Sequence, residues 1–172
     1  MPLNALIKIS NAPGETKALG KYKTEKWIEI QGWEWEVEAD TSWTKGGGAS
    51  VGKPSPGKMA FEHYFDTSSN VIMRYIFSGQ SFDNIQLEML KGTGTEKGQM
   101  CFFRMEMRDA FITKVTNSAT DEGNVVQKVE LVFKEVTFTY RPQLDQDDGK
   151  GRAGQLGVEN SVTWDIPAGK VK

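Results

Sequence analysis

Apolar and polar positions alternate with a period of two along most of the chain, the signature of strands with one buried face. From Trp27 to Glu38, WIEIQGWEWEVE, Ile28 and Ile30 share one face while Trp33, Trp35 and Val37 take the opposite parity. The phase flips at Gln31-Gly32. An extra residue re-aims a long strand whose apolar side must stay on the core, and glycine tolerates the geometry, so a β-bulge is expected there. The device recurs where Val129, Leu131 and Phe133 occupy odd positions and Val136, Phe138 and Tyr140 even ones, with Lys134-Glu135 absorbing the slip. Further strands are expected over 6–9, 59–65, 85–90, 100–107, 111–115 and 162–166. Long strands bent in this way predict a mainly β fold, a curved antiparallel β-barrel of two sheets, because closure removes exposed edges.

One segment breaks the alternation. In DTSSNVIMRYIFSG, Asp66 to Ser69 offer N-caps, Ile72 and Ile76 stand four apart, and Gly79 is a stop signal. One short α-helix of about three turns is expected, covering the barrel with Ile72, Met73, Ile76 and Phe77. Two stretches are too polar to carry a core period: an extended glycine- and proline-rich loop over 44–58, and a polar segment over 144–160 containing DQDDGKGRAG. Loops of that length on a rigid β body usually make contacts with other molecules.

With 172 residues, 38% of them hydrophobic, the whole chain 1–172 reads as a single domain. At 19.2 kDa it can bury about 70% of its extended-chain surface without disulfides. The single cysteine, Cys101, agrees with that and points to folding in a reducing compartment. A formal net charge of −2 removes the cationic field that nucleic-acid or anionic-membrane binding requires. The first apolar stretch lacks a secretory core and no run of 18 apolar residues exists, so no signal peptide and no membrane insertion are expected.

The candidate chemistry is thin. Gly47 to Lys53 matches seven places of a phosphate-binding loop, but Pro54 stands where a magnesium-ligating hydroxyl belongs and no helix pattern follows. The run Asp145, Asp147, Asp148 before Gly149 misplaces the glycine of a calcium loop and lacks its final glutamate. One histidine, His63, and one cysteine exclude His- or thiolate-based metal clusters; no metal and no cofactor are expected. A Cys101–His63 nucleophilic pair competes with Cys101 packed in a strand beside Phe103 and Met105 and His63 on a sheet surface, and the packed reading is favoured. Glu34 and Glu36, about 7 Å apart on one strand face, match a glycosidase spacing but also an ordinary solvated face. No catalytic residues are assigned.

The order of many weak pieces carries more. LIKI from Leu6, Gly14-Glu15, I-x-I-x-x-W-x-W from Ile28 to Trp35, the glycine-rich stretch ending Gly52-Lys53, F-x-x-x-F-D from Phe61 to Asp66 and N-x-x-M from Asn70 to Met73 follow one another. M-x-D-A-x-I-T-x-V from Met107, VQKVELVFKEVTFTYRPQ from Val126 and W-x-I at Trp164 complete the set. This arrangement resembles the Hcp family, the haemolysin-coregulated proteins of bacterial type VI secretion, over nearly the whole chain.

The resemblance implies a structural component rather than an enzyme. It implies hexameric rings stacked into the inner tube of a contractile apparatus, secreted without a signal peptide after assembly in the cytoplasm, and binding small effector proteins in the ring lumen. The implied partners are further copies of the chain, a spike protein, a contractile sheath and effectors. Alternation places Glu34, Glu36 and Glu38 opposite the tryptophans as candidate lumen-facing residues, Glu34 foremost. Lys45, Gly47, Gly48, Val51 and Lys53 in the first loop, with Asp147 and Asp148 in the second, are the candidate ring contacts. The alternative is a monomeric β-barrel binding a small ligand or glycan, using Trp27 and Trp43 as an exposed aromatic platform.

Overall fold

A computed structural model describes residues 4–44, 47–92, 99–144 and 156–172. In chain order the elements are β1 (Ala5–Ile9), α1 (Lys21–Thr24), β2 (Ile28–Ile30), β3 (Gly32–Glu34), β4 (Val37–Thr44), β5 (Gly48–Pro56) and β6 (Met59–Tyr64). There follow α2 (Thr67–Ser78), β7 (Ser81–Gly92), β8 (Gln99–Ala119), β9 (Val125–Val132), β10 (Glu135–Tyr140), β11 (Asn160–Asp165) and β12 (Lys170–Val171). All strand pairings are antiparallel, in one large curved sheet and one two-stranded hairpin, β4–β5.

The pairings run β8–β7–β1–β2 on one side and β8–β9–β6–β3 on the other. β2 and β3 are two halves of one extended segment, so the circuit returns to its start through the chain itself. The phase flip at Gln31 is therefore an exchange of partners, not the expected bulge: Ile30 pairs with Ala5 of β1, and from Gln31, whose N–H donates to the Glu62 carbonyl at 2.8 Å, the chain pairs with β6. The slip at Lys134-Glu135 does separate β9 from β10, and both pair with β8. The two stretches expected over 100–107 and 111–115 are one strand, β8, whose apolar parity changes at Asp109. Asp109 takes φ 49°, a left-handed conformation that aspartate tolerates better than most residues. Opposite it, Lys134 N–H donates to the Arg108 carbonyl at 3.0 Å.

Inside lie Ile7, Ile28, Phe61, Leu87, Met105 and Leu131, with Trp33 and Trp35 partly buried against them. Trp33 stacks on Phe103 with centroids 5.4 Å apart, and Trp35 sits between Phe133 and Phe138. Val37 does not continue the inward parity: it is 49% exposed because β4 has left the barrel. Tyr140, expected inward, is likewise exposed at the end of β10.

α2 forms as its sequence dictates. Asp66 and Ser69 make a reciprocal capping box and Gly79 closes the helix at φ 68°. Ile72 is buried and Tyr75 stacks on Phe82 at 3.8 Å. Phe77, expected inward, is 77% exposed, since five residues at 100° per residue turn it away from the Ile72 stripe. Outside the barrel the segment 13–27 packs on a second cluster of Leu6, Trp27 and Leu90. Gly14 permits this: a Cβ there would stand 2.6 Å from the Trp27 carbonyl.

Candidate functional site: an exposed hairpin on a polar wall

The stretch expected as an irregular loop over 44–58 is mostly strand. β5 pairs with β4 from Val37 opposite Pro56 to Thr44 opposite Gly48, with a register shift between Ala39 and Thr41. Polarity hid it, because β5 packs on no core: every residue of Gly48–Pro56 is exposed. Prolines at 54 and 56 are tolerated because this strand is an edge whose missing N–H groups cost no ladder bond on the open side.

The hairpin is exposed along β5 and fixed at its base. Gly57 N–H donates to the Glu36 carbonyl at 2.8 Å, and Trp35 Nε1 donates to the Gly57 carbonyl at 3.1 Å. A Cβ on Gly57 would lie 2.9 Å from the Glu36 carbonyl oxygen, so glycine is required for this closure.

Of the candidate ring-contact residues, Gly47 is in the turn, Gly48 opens β5 at φ 79°, and Val51 (70% exposed) and Lys53 stand on the open strand. Lys45, Asp147 and Asp148 lie outside the described residues. The candidate lumen-facing glutamates are all exposed but do not form one row. Glu34 belongs to β3 in the barrel, Glu36 to the link, and Glu38 to the hairpin opposite Ser55. Through the register of β3, β6 and β9, Glu34 shares an outer face with Glu62, Lys128 and Glu130, a polar wall of mixed sign.

His63 and Cys101 lie in separate settings. His63, expected at a sheet surface, is fully buried because its parity on β6 is that of Met59 and Phe61. Its Nε2 meets Gln127 Oε1 at 2.9 Å, and Gln127 Nε2 donates to Asn117 Oδ1 at 3.0 Å. That chain puts the proton on His63 Nε2, leaving Nδ1 without a hydrogen bond, 3.9 Å from Asp66 Oδ1. Burial holds its pKa below the usual 6.5, against the pull of Gln127 and Asp66.

Cys101 lies on β8, its Sγ 3.3 Å from the Phe103 carbonyl. Burial and the nearby Glu88 charge push its thiol up to about 11, so it is a poor nucleophile, and it packs on the outer cluster of Leu6, Trp27 and Leu90 while His63 shares the inward face of β6. Among the described residues no group of three His, Cys, Asp or Glu is placed to hold a metal ion. Trp27 is 1% exposed, with its indole N–H on Glu25, so it offers no platform for a stacked ligand.

One cluster escaped sequence reasoning. Glu88, fully buried on the outer face of β7, accepts from Lys21 Nζ at 3.1 Å, Arg104 Nε at 3.1 Å, Gln86 Nε2 at 2.8 Å and Tyr22 OH at 2.5 Å. Burial works to raise its pKa, but the Tyr22 and Lys21 hydrogen bonds and the charges of Lys21 and Arg104 hold it below 4.5. Besides Gln86, its partners are 67, 66 and 16 residues away along the chain, so nothing local in the mixed sequence of β7 marks it.

Comparison with solved structures returns the same architecture at low identity. A structure described as that of a type six secretion system protein superposes with a TM-score of 0.83 at 23% identity, covering 99% of each chain. Hcp1 from Salmonella typhimurium gives 0.75 at 22% identity over all of both chains. A type VI secretion system effector from Yersinia pestis gives 0.69 at 20% identity, covering 94% of this chain and 99% of that one. Comparison with curated protein sequences gives no match. The sequence profile described as type VI secretion system effector, Hcp, matches residues 6–140, and the chain belongs to the Hcp family of type VI secretion.

Proposed function

We propose that this chain is a non-enzymatic tube subunit: six copies close head to tail into a ring, rings stack into the inner tube of the secretion apparatus, and the tube leaves the cell with small effector proteins in its lumen. The observation that carries the reading is the β4–β5 hairpin. A lone two-stranded hairpin is marginal in water, and this one is exposed on every residue of β5. It gains a packing surface when a second copy receives it, and a heterologous contact of this kind builds a closed ring or an open stack.

In this reading Gly47, Gly48, Val51 and Lys53, with Lys45 beside them and Asp147 and Asp148 in the second polar segment, touch the neighbouring subunit. Glu34, Glu36 and Glu38 face the lumen, where a polar wall holds cargo without the apolar pockets that slow its release. Assembly takes place in the cytoplasm around a spike protein and inside a contractile sheath. No helix among the described residues is long and apolar enough to cross a membrane, and export through the apparatus itself requires none.

Sedimentation of the purified chain tests this. Six chains of 19.2 kDa give a particle of about 115 kDa with a central hole in negative stain. Val51→Asp on the open strand shifts it to monomer with unchanged circular dichroism. A wild-type chain that stays solitary at high concentration overturns the reading.

A further inference from the structure

On the outer wall, away from the hairpin, the segment 17–22 and the ends of β8 and β10 enclose a cleft of about 820 Å³, the size of a small-molecule site. Its floor is formed by Lys21, Tyr22 and Arg104, which hold the buried Glu88 beneath it. That carboxylate accepts four hydrogen bonds and has two cations against it, so the floor carries a net positive charge with both oxygens engaged. Lys17 and Arg141 line the walls, and Glu159 is the one acid among the described lining residues. Its Oε2 makes a long ion pair with Arg141 Nε at 3.9 Å, too far for a hydrogen bond, and both side chains stay partly exposed, at 53% and 41%. In a chain of net charge −2 this is a local reversal of sign.

Arg141 Nε is buried and has no hydrogen-bond partner, and a buried donor left over in a native fold calls for an acceptor. Inorganic anions would satisfy the cations alone. The remaining wall mixes Gln99 and Thr139 with apolar side chains, Leu19 at 80% exposure beside Leu90, Met100 and Phe102.

We propose that this cleft binds a small organic acid, a carboxylate on an apolar body such as a medium-chain fatty acid, its head among Arg141, Lys17 and the Lys21–Arg104 pair and its tail along Leu19, Met100 and Phe102. The cations converge on one ligand-sized cleft instead of following an extended track, which favours a small molecule over an acidic segment of another protein. This goes beyond the tube reading and does not depend on it.

Calorimetric titration of the full chain with decanoate tests it. Expected are saturable binding at one site per chain, at least tenfold weaker binding of decylamine, at least tenfold loss in Arg141→Met and recovery in Arg141→Lys. Leu19→Ser, at an exposed position, weakens decanoate severalfold and leaves the melting temperature unchanged. No saturable heat, equal binding of decanoate and decylamine, an undiminished Arg141→Met, or binding of an acidic peptide such as poly-glutamate in preference to decanoate each overturns the proposal.

Discussion

Glu88 shows how much one buried carboxylate organises. Replacing it by glutamine keeps the shape but leaves Lys21 and Arg104 facing each other without a counter-charge. Breaking a fully buried pair costs roughly 3–5 kcal/mol. Lys21 keeps 47% of its side-chain exposure and can turn to water, so the expected loss is about 2 kcal/mol, read from chemical denaturation. His63 acts in the opposite sense. Its folded pKa lies below 6.5, so below that pH the unfolded chain takes up a proton that the native state refuses, and stability falls as pH falls. The loss begins near pH 6.5, well above the window in which Glu88, held below 4.5, starts to lose its own contribution. Denaturation midpoints from pH 7.5 to 5 should slope downward in the native chain and flatten in His63→Gln. For Cys101, a pKa of about 11 leaves little thiolate at neutral pH. Reaction with a disulfide reagent should run ~100-fold slower than with free cysteine; a rate near that of free cysteine would refute the half-buried setting beside Glu88.

At the scale of elements, strands were legible wherever one face is buried and opaque elsewhere. Alternation marks β6 and β9 because Phe61 and Val129 must face inward, and it marks α2 because capping chemistry and the Ile72–Ile76 spacing agree. It marks the corners too: both sequence slips, at Gln31 and at Lys134, fall where the chain changes partner or bends. What it cannot convey is which partner is exchanged, since the Gln31–Glu62 hydrogen bond joins residues that only the folded sheet brings together. β5 is invisible for a different reason. With no core beneath it there is no hydrophobic period, and glycine and proline are common to loops and open edges. The candidate site was legible as a place, the glycine-rich stretch and the acidic parity of Glu34 to Glu38, but not as a shape. His63 and Glu88 depend on partners distant in sequence and carry no local signal. The base of the hairpin yields its own prediction. Gly57→Ala puts a Cβ 2.9 Å from the Glu36 carbonyl; the barrel should keep its melting temperature within a few degrees while the β4–β5 amides exchange at least tenfold faster.

For the whole molecule, the uncovered edge is the informative feature: every residue of Gly48–Pro56 is exposed, while β6 and β9 bury Phe61 and Val129. In the proposed ring β5 therefore gains protection first: hydrogen exchange of the assembled chain and of the Val51→Asp variant should differ most over 48–56 and least in β6 and β9.

The anchoring of that hairpin has a mechanical side. Trp35 grips Gly57 with its indole N–H while its ring sits wedged between Phe133 and Phe138 at the corner of two long strands. A pull on β5 is thus borne first at the Gly57 closure and passes into the aromatic heart of the subunit, and whatever seats on β5 also braces the wall behind it.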